Sequence, residues 1–451
     1  MRAFDVFIIG GGPAGQDLAR ACNASGMSVG IAEYRGFGGT CGLRGCDPKR
    51  VMVSVSEAVD GVDRLVGHGV EGEATLVWDD VRAFVAEFVK PKPEAARANL
   101  ESEGITTFTA KASFVSADRL RVGDEEVSAS KIVIATGQRP APLGIPGEEL
   151  AKTSDDFHGL EALPARILFI GGGYIGLESA HICARAGCRV TVVNSDDDPL
   201  PMFERAFADR LVQASEELGI EFVMNASAEK IEEREDGFRV SVKTEDGSTR
   251  AFDDIGLVMN TAGRVANVED LNLGVLGVEA DGQGIKVDEY YRVGGHGNIF
   301  AIGDVANHEG APLTPVAQLE AEALARTLTK GRLSVADYTG ISTAVYTLPE
   351  LAGVGLTEQQ AREQDYVVEV IDKLDAESQF NARRVNARAY GYKTVTDAET
   401  GELLGATVIG PRASEIINLF ALSIRAGIPT QVLSEMPWAY PTWGSDVAGM
   451  V

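Results

Sequence analysis

The chain has 451 residues, 24% of them charged and 45% hydrophobic, and carries a formal charge of -26. At roughly 150 residues per domain this is room for about three domains with sizeable cores, and the acidic balance, whose 41 Lys and Arg form no clusters, excludes nucleic acid and anionic membrane surfaces as partners. No stretch approaches the ~18 consecutive apolar residues of a membrane span, and Met1 leads straight into an apolar segment without an n-region or cleavage site, so a cytoplasmic, soluble protein is expected.

The first element is an apolar run, Asp5–Gly10, that ends in glycine and reads as a buried parallel strand. Gly10-Gly11-Gly12-Pro13-Ala14-Gly15 follows it and opens a helix, and the next strand, Met27–Glu33, ends in an acid. In such a unit Gly10, Gly12 and Gly15 permit a tight turn and close approach to a pyrophosphate, the helix N-terminus attracts the phosphates, and Glu33 accepts from a ribose hydroxyl. Directly after it comes Gly38-Gly39-Thr40-Cys41-Gly42-Leu43-Arg44-Gly45-Cys46-Asp47-Pro48, in which four residues separate the cysteines. Helical spacing, with Pro48 favouring a helix start nearby, brings the sulfurs together at the positive end of a helix dipole, which lowers a thiol pKa and suits exchange chemistry. Five cysteines in the chain are too few for a secreted disulfide framework, and a metal site at this pair lacks two further Cys or His ligands nearby.

A charged, helical-looking stretch from about 51 to 100 and a period-two segment over Thr106–Leu120 interrupt the doubly wound unit before its next strand, Lys131–Gly137. The strand ending at Gly171 opens a second fingerprint, Gly171-Gly172-Gly173-Tyr174-Ile175-Gly176-Leu177-Glu178, on a helix reaching about Ala186, and the following strand, Arg189–Val193, runs into Asn194 and three aspartates, 196–198. Two fingerprints imply two dinucleotides, and the pairing that moves electrons is a tightly bound flavin with an exchangeable nicotinamide. Cys22, Cys183 and Cys188 read as core residues. From Asp337 the pattern alternates in Ala344–Thr347, Gly391–Thr396 and Leu404–Gly410, with an apolar helix over Ser414–Ala426, as in a separate α+β domain. The expectation is thus an α/β chain: two Rossmann-like dinucleotide domains, 1–149 with 266–336 for FAD and 150–265 for NAD(P), then a C-terminal α+β interface domain at 337–451.

These motifs, with Ala135-Thr136-Gly137, Ala301-Ile302-Gly303-Asp304, Leu313-Thr314-Pro315-Val316-Ala317 and Thr347–Thr357, resemble the pyridine nucleotide-disulfide oxidoreductases over nearly the whole length. That group contains dihydrolipoamide dehydrogenase, glutathione reductase and mercuric reductase. The resemblance implies that Cys46 lies against the flavin as a charge-transfer thiolate while Cys41 is the outer, interchange thiol. It implies that Asp304 bonds the ribityl chain, that the helix from Thr314 points at the pyrimidine end of the ring, and that Tyr174 lies where the nicotinamide stacks. Thr40, Thr136, Gly137 and Gly263 complete the cofactor set, and the interface domain completes the partner's site in a homodimer.

The chain departs from the family in three places. Arg50 aligns with a lysine that pairs with a glutamate, here Glu178, so an Arg50–Glu178 pair is expected. Asn194 replaces the carboxylate of NADH users, but Asp196, Asp197 and Asp198 would repel a 2′-phosphate, which favours NADH over NADPH. Tyr440 stands where dithiol enzymes of the family carry a catalytic histidine; all five histidines, the last of them His308, precede the C-terminal domain. The expected activity is transfer from NAD(P)H through FAD and the Cys41–Cys46 disulfide to a small-molecule disulfide acceptor, with no metal as cofactor. A mercuric-reductase-like metal-ion reductase and a quinone reductase or transhydrogenase are the alternatives, although no cysteine follows Cys188 to hand over metal.

Overall fold

In the computed structural model, which describes residues 1–451, the chain forms two compact units. One unit gathers Met1–Lys49, Ala83–Ala141 and Gly263–Tyr338; the other gathers Arg50–Arg82, Pro142–Ala262 and Thr339–Val451.

The first unit is built on a sheet whose parallel part runs Thr106–Phe108, Val29–Ala32, Arg2–Ile9, Glu125–Ile134 and Ile299–Ala301. Val29–Ala32 is buried at every position, and so are Phe7, Ile8 and Ile132–Ile134, because helices or loops cover both faces of a parallel sheet. The register pairs Val6 with Val29 on one side and with Lys131 on the other, so the turn at Gly10 leaves the sheet between two diverging crossovers. Such a divergence opens a crevice at the carboxyl ends of the strands. The period-two segment resolves into the parallel strand Thr106–Phe108 and an antiparallel pair, Ala112–Ser116 with Arg119–Val122. The helical stretch between the motifs is three helices, Cys46–Leu65, Trp78–Val89 and Lys92–Ser102.

In the second unit, a parallel sheet runs Glu221–Val223, Arg189–Val193, Arg166–Ile170, Leu257–Asn260 and Lys152–Thr153. An antiparallel layer of Ser227–Arg234, Gly237–Lys243 and Thr249–Ile255, which the sequence reading did not anticipate, is joined to it by a core that includes Leu168, Val240 and Val258. The C-terminal portion is a five-stranded antiparallel sheet in the order Ser342–Val345, Glu350–Gly355, Leu403–Gly410, Gly391–Asp397 and Val368–Lys373. Helix Ala413–Ala426 buries Ile416, Ile417 and Phe420 against it, close to the expected span. No helix is long and apolar enough to cross a membrane.

Candidate active site

The turn at Gly10 is a backbone requirement. Gly10 has φ +116°, and a Cβ there would lie 2.2 Å from the Ala135 carbonyl oxygen; a Cβ on Gly15 would lie 2.0 Å from the Gly10 oxygen. Helix Pro13–Ala24 therefore starts tight against the sheet, with proline in its first turn and no acidic side chain there to occupy its free N–H groups. Glu33, at the end of the second strand, accepts from the Gly11 N–H at 2.9 Å and from the Arg35 N–H at 2.6 Å, so its carboxylate is fixed beside the turn.

An open cleft of about 1070 Å³, mouth included, extends from this turn. Gly10, Gly12, Glu33, Thr40, Cys41, Thr136, Gly137, Asp304 and Thr314 all line it, so most of the residues expected at the flavin converge on one space. The Thr136 hydroxyl is buried there without a hydrogen-bond partner. Burial pushes the Asp304 carboxyl upward, a pressure that Glu320 increases and that Arg264 and His308 oppose. An orphaned donor, a confined carboxyl and a glycine turn with free amides fit an elongated dinucleotide.

Cys41 and Cys46 are both free thiols. They do not share one helix as their spacing suggested: Cys41 sits in the short helix Gly39–Leu43, the helix breaks at Arg44, and Cys46 opens the helix Cys46–Leu65. The Cys46 and Thr314 side chains nevertheless both lie beside the Cys41 sulfur. Contact with Cys46, followed by burial, pushes the Cys41 thiol far up. Cys41 lines the cleft, and Cys46 is exposed. Lys92 bonds to the Asp47 carboxylate and lies 3.5 Å from the Gly42 carbonyl oxygen, tying down both ends of the cysteine loop; no motif marked it in advance.

In the second unit the same turn recurs. A Cβ on Gly171, which has φ +104°, would meet the Thr261 carbonyl oxygen at 2.4 Å, and one on Gly176 would meet the Gly171 oxygen at 2.3 Å. Helix Tyr174–Arg185 starts after Gly173, also without a first-turn acid, and Tyr174 is exposed at its head. Asn194 is buried beside the turn, its Oδ1 accepting from the Gly172 N–H at 2.9 Å and its amide donating to the Asp196 carbonyl at 3.0 Å. Gly263 belongs to the first unit, where its carbonyl accepts from Ala141 at 3.0 Å.

Arg50 does not make the expected ion pair with Glu178. Its guanidinium lies 2.7 Å from Glu57 and 3.7 Å from Glu350, and stacks 4.8 Å from the centroid of the Tyr346 ring. Glu178, buried, accepts from the Tyr346 backbone N–H at 2.8 Å. Tyr346 thus touches both residues, while Glu57 on the guanidinium's own helix and Glu350 at the start of a strand take its charge. Tyr440 is 77% exposed, with its ring 6.3 Å from that of the exposed Phe380.

The pyridine nucleotide-disulphide oxidoreductase family model matches residues 4–321, and the dimerisation-domain model of the same family matches residues 341–450. The chain belongs to this family. It is an oxidoreductase of an FAD-dependent family that uses NAD(P). A glutathione reductase of Burkholderia cepacia is 33% identical over 426 residues, covering 94% of this chain and 93% of the relative. A dihydrolipoyl dehydrogenase of Halobacterium salinarum is 32% identical over 462 residues, covering 97% and 93%. Among solved structures, the Cu(II) complex of the HOCl-induced flavoprotein disulfide reductase RclA from Escherichia coli superposes with a TM-score of 0.87 at 26% identity, covering 100% of this chain and 99% of that one.

Proposed function

We propose that the protein is an NADH-dependent disulfide reductase, acting as a homodimer on a small-molecule disulfide. The observation that carries this reading is a pair of adjacent free thiols, one of them lining the cleft that the dinucleotide turn opens. Flavin bound in that cleft would supply a two-electron carrier between nicotinamide and thiols.

The chain's own residues do the rest. The free amides after Gly12 would hold the pyrophosphate, Glu33 a ribose hydroxyl, and Asp304 and Thr136 further polar groups along the cleft. Tyr174, Gly173 and Asn194 would serve the nicotinamide nucleotide in the same way. In the reduced pair, the Cys41 sulfur, once it gives up its proton, attacks an acceptor disulfide, forming a mixed disulfide and expelling one thiolate. The Cys46 sulfur then attacks Cys41, closes the Cys41–Cys46 disulfide and releases the second thiolate. Two thiols are oxidised, one disulfide is reduced, and the two cysteine protons leave with the products. Tyr440 of the partner subunit would protonate the leaving thiolate, as a phenol is a proton donor at neutral pH and a poor base.

Anaerobic titration with NADH tests the reading: uptake of four electrons per subunit, two beyond the flavin, is expected, and uptake of two removes the thiols from the cycle. A panel of lipoamide, glutathione disulfide, larger disulfides, quinones, Hg²⁺ and Cu²⁺ then names the acceptor. The copper arm tests metal-ion reduction by the same thiols, and copper is included because the Escherichia coli relative was solved as a Cu(II) complex.

A further inference from the structure

Within the first unit, the cysteine loop is gripped by a third element. Helix Lys92–Ser102 begins in the run Lys90-Pro91-Lys92-Pro93, where two prolines fix the backbone on either side of Lys92. Pro93 seats that start beside the segment leading to the cysteines, since a Cβ on Gly36 would lie 3.4 Å from the Pro93 Cβ. The Lys92 ammonium donates to the Asp47 carboxylate and reaches the Gly42 carbonyl oxygen at 3.5 Å, and its Cδ lies 4.0 Å from where a Gly42 Cβ would stand. Gly42 follows Cys41 in the short helix Gly39–Leu43, and Asp47 follows Cys46 in the first turn of helix Cys46–Leu65. One cation thus touches the residue after each cysteine.

The helix that carries Lys92 gains nothing from it. A cation at the first position opposes the helix dipole, and a partly exposed ion pair adds little to stability. What the placement changes is charge. Asp47 stands beside two thiols that must ionise to react, and a like charge disfavours a thiolate; its carboxylate adds to the upward pressure on the Cys41 thiol. The other charged groups around the pair are Arg44, whose guanidinium donates to the Arg35 carbonyl at 3.2 Å, and Lys49, one turn along the second helix from Cys46. On the third helix, Glu94 is held by Arg97 at 2.6 Å.

We propose that Lys92 is a positioning residue for the redox-active thiols: by holding the Asp47 carboxylate and the Gly42 carbonyl, it keeps one positive charge against both cysteine helices and balances Asp47 where the thiolate forms. The inference rests on Cys41 and Cys46 being the working pair. Its test uses chemically reduced holoenzyme and needs neither nucleotide nor acceptor, so failure to take electrons from NADH would sink the function and leave this measurement standing.

The experiment is the pH profile of alkylation by iodoacetamide, read from peptide masses after tryptic cleavage at Arg44, which separates Cys41 from Cys46; the lower midpoint belongs to the coupled pair. Lys92→Met should raise that midpoint by about half a pH unit, the size of one unbalanced charge at a partly solvated site. Lys92→Arg should leave it near the wild-type value. Asp47→Asn should lower it by a similar amount, and Lys92→Met combined with Asp47→Asn should return it close to wild type. A tie that serves structure alone predicts otherwise, because Lys92→Met and Asp47→Asn break the same bond and would shift the midpoint in the same direction. That outcome, an unshifted Lys92→Met, or a Lys92→Arg that behaves like Lys92→Met would overturn the proposal. If Lys92→Met fails to fold, the direction of the Asp47→Asn shift decides it.

Discussion

Asn194 accepts the Gly172 N–H at 2.9 Å, the relation that Glu33 bears to the Gly11 N–H at 2.9 Å in the other unit. The side chain ending the second strand thus braces the glycine turn in both copies, and a neutral amide does so as well as a carboxylate. The difference lies in what remains for the ribose: the Asn194 amide already donates to Asp196, which leaves its oxygen as a second-site acceptor.

This arrangement bears on nucleotide choice. Asp197 holds Arg205 at 3.4 Å and Asp209 holds it at 2.8 Å, so the nearest guanidinium in this stretch is neutralised and Asp196 stays exposed. NADH should exceed NADPH in kcat/KM by tenfold or more, a difference of about 1.4 kcal/mol. Asp197→Asn should raise the NADPH value several-fold, by removing a like charge and releasing part of Arg205, with little change for NADH. A wild-type enzyme that prefers NADPH would refute the argument.

The two sulfurs can be told apart by their protons. Contact with Cys46, followed by burial, pushes the Cys41 thiol up, whereas Cys46 stands at the head of a 20-residue helix, whose positive end favours the thiolate that a long-wavelength charge-transfer band requires. Cys41→Ser should keep that band, and Cys46→Ser should lose it; both should abolish disulfide turnover while leaving flavin bound. The opposite pattern in the absorption spectra would mean that the cleft-lining position of Cys41 decides the contact with the ring.

At the far end of the helix that the second nucleotide turn opens, Arg185, with 2% of its side chain exposed, bonds to Asp60 at 2.9 Å and to the Leu348 carbonyl at 3.0 Å, and Arg64 takes the other Asp60 oxygen at 2.7 Å. Desolvating the carboxylate costs energy, but the two guanidiniums outweigh it and hold Asp60 below the usual carboxylate range. Arg185→Ala leaves a buried charge half-paired and should cost about 3–5 kcal/mol, whereas Asp60→Leu with Arg185→Met should cost less than the sum of the singles. Urea denaturation of the four proteins measures the cycle, and additivity would dismiss the network.

His181, in the same cluster, lies 2.8 Å from the Ser215 hydroxyl, and its Nδ1 accepts from Leu348. Burial, with the Arg185 charge added, holds it well below its ordinary pKa of 6.5. The folded state therefore refuses a proton that the unfolded state takes up below about pH 6.5. Stability on this account is complete above that pH and falls as the pH drops through it, by at most about 1.4 kcal/mol per unit. Between neutral and mildly acidic buffer the wild type should lose more of its thermal midpoint than His181→Gln. Parallel losses would assign the acid sensitivity elsewhere.

Both glycine turns, the parallel strands and the C-terminal sheet were legible because each depends on local rules: an apolar run, a positive-φ glycine, a two-residue alternation. What escaped was set by partners distant in sequence. The Cys41–Cys46 spacing looked helical, but the chain breaks at Arg44. Arg50 found Glu57 and Glu350 instead of Glu178, a choice made by which carboxylates the fold brings near. Nothing in Asn307–Leu313 distinguished His308 from a surface histidine until Glu320, twelve residues on, was seen to be buried beside it.

Tyr440 yields the last prediction. Its ring is exposed beside Phe380 on the dimerisation domain, and its hydroxyl makes no hydrogen bond within the chain. A side chain so placed is available to a partner subunit, and in a dithiol site the group needed there is a proton donor for the leaving thiolate. General acid catalysis by one side chain contributes about 10²–10⁴-fold, so Tyr440→Phe should lower acceptor turnover at least about a hundredfold. Flavin bleaching by NADH in stopped flow should be unchanged, since that step precedes the proton transfer. Because a phenol, with an ordinary pKa of about 10, still carries its proton at neutral pH and so can donate one but not accept one, NAD-dependent oxidation of dihydrolipoamide by the wild type should be slow and should climb toward alkaline pH. Tyr440→His should raise that reverse rate near neutrality by supplying a base. Acceptor turnover left intact by Tyr440→Phe would reduce Tyr440 to a packing residue of the interface.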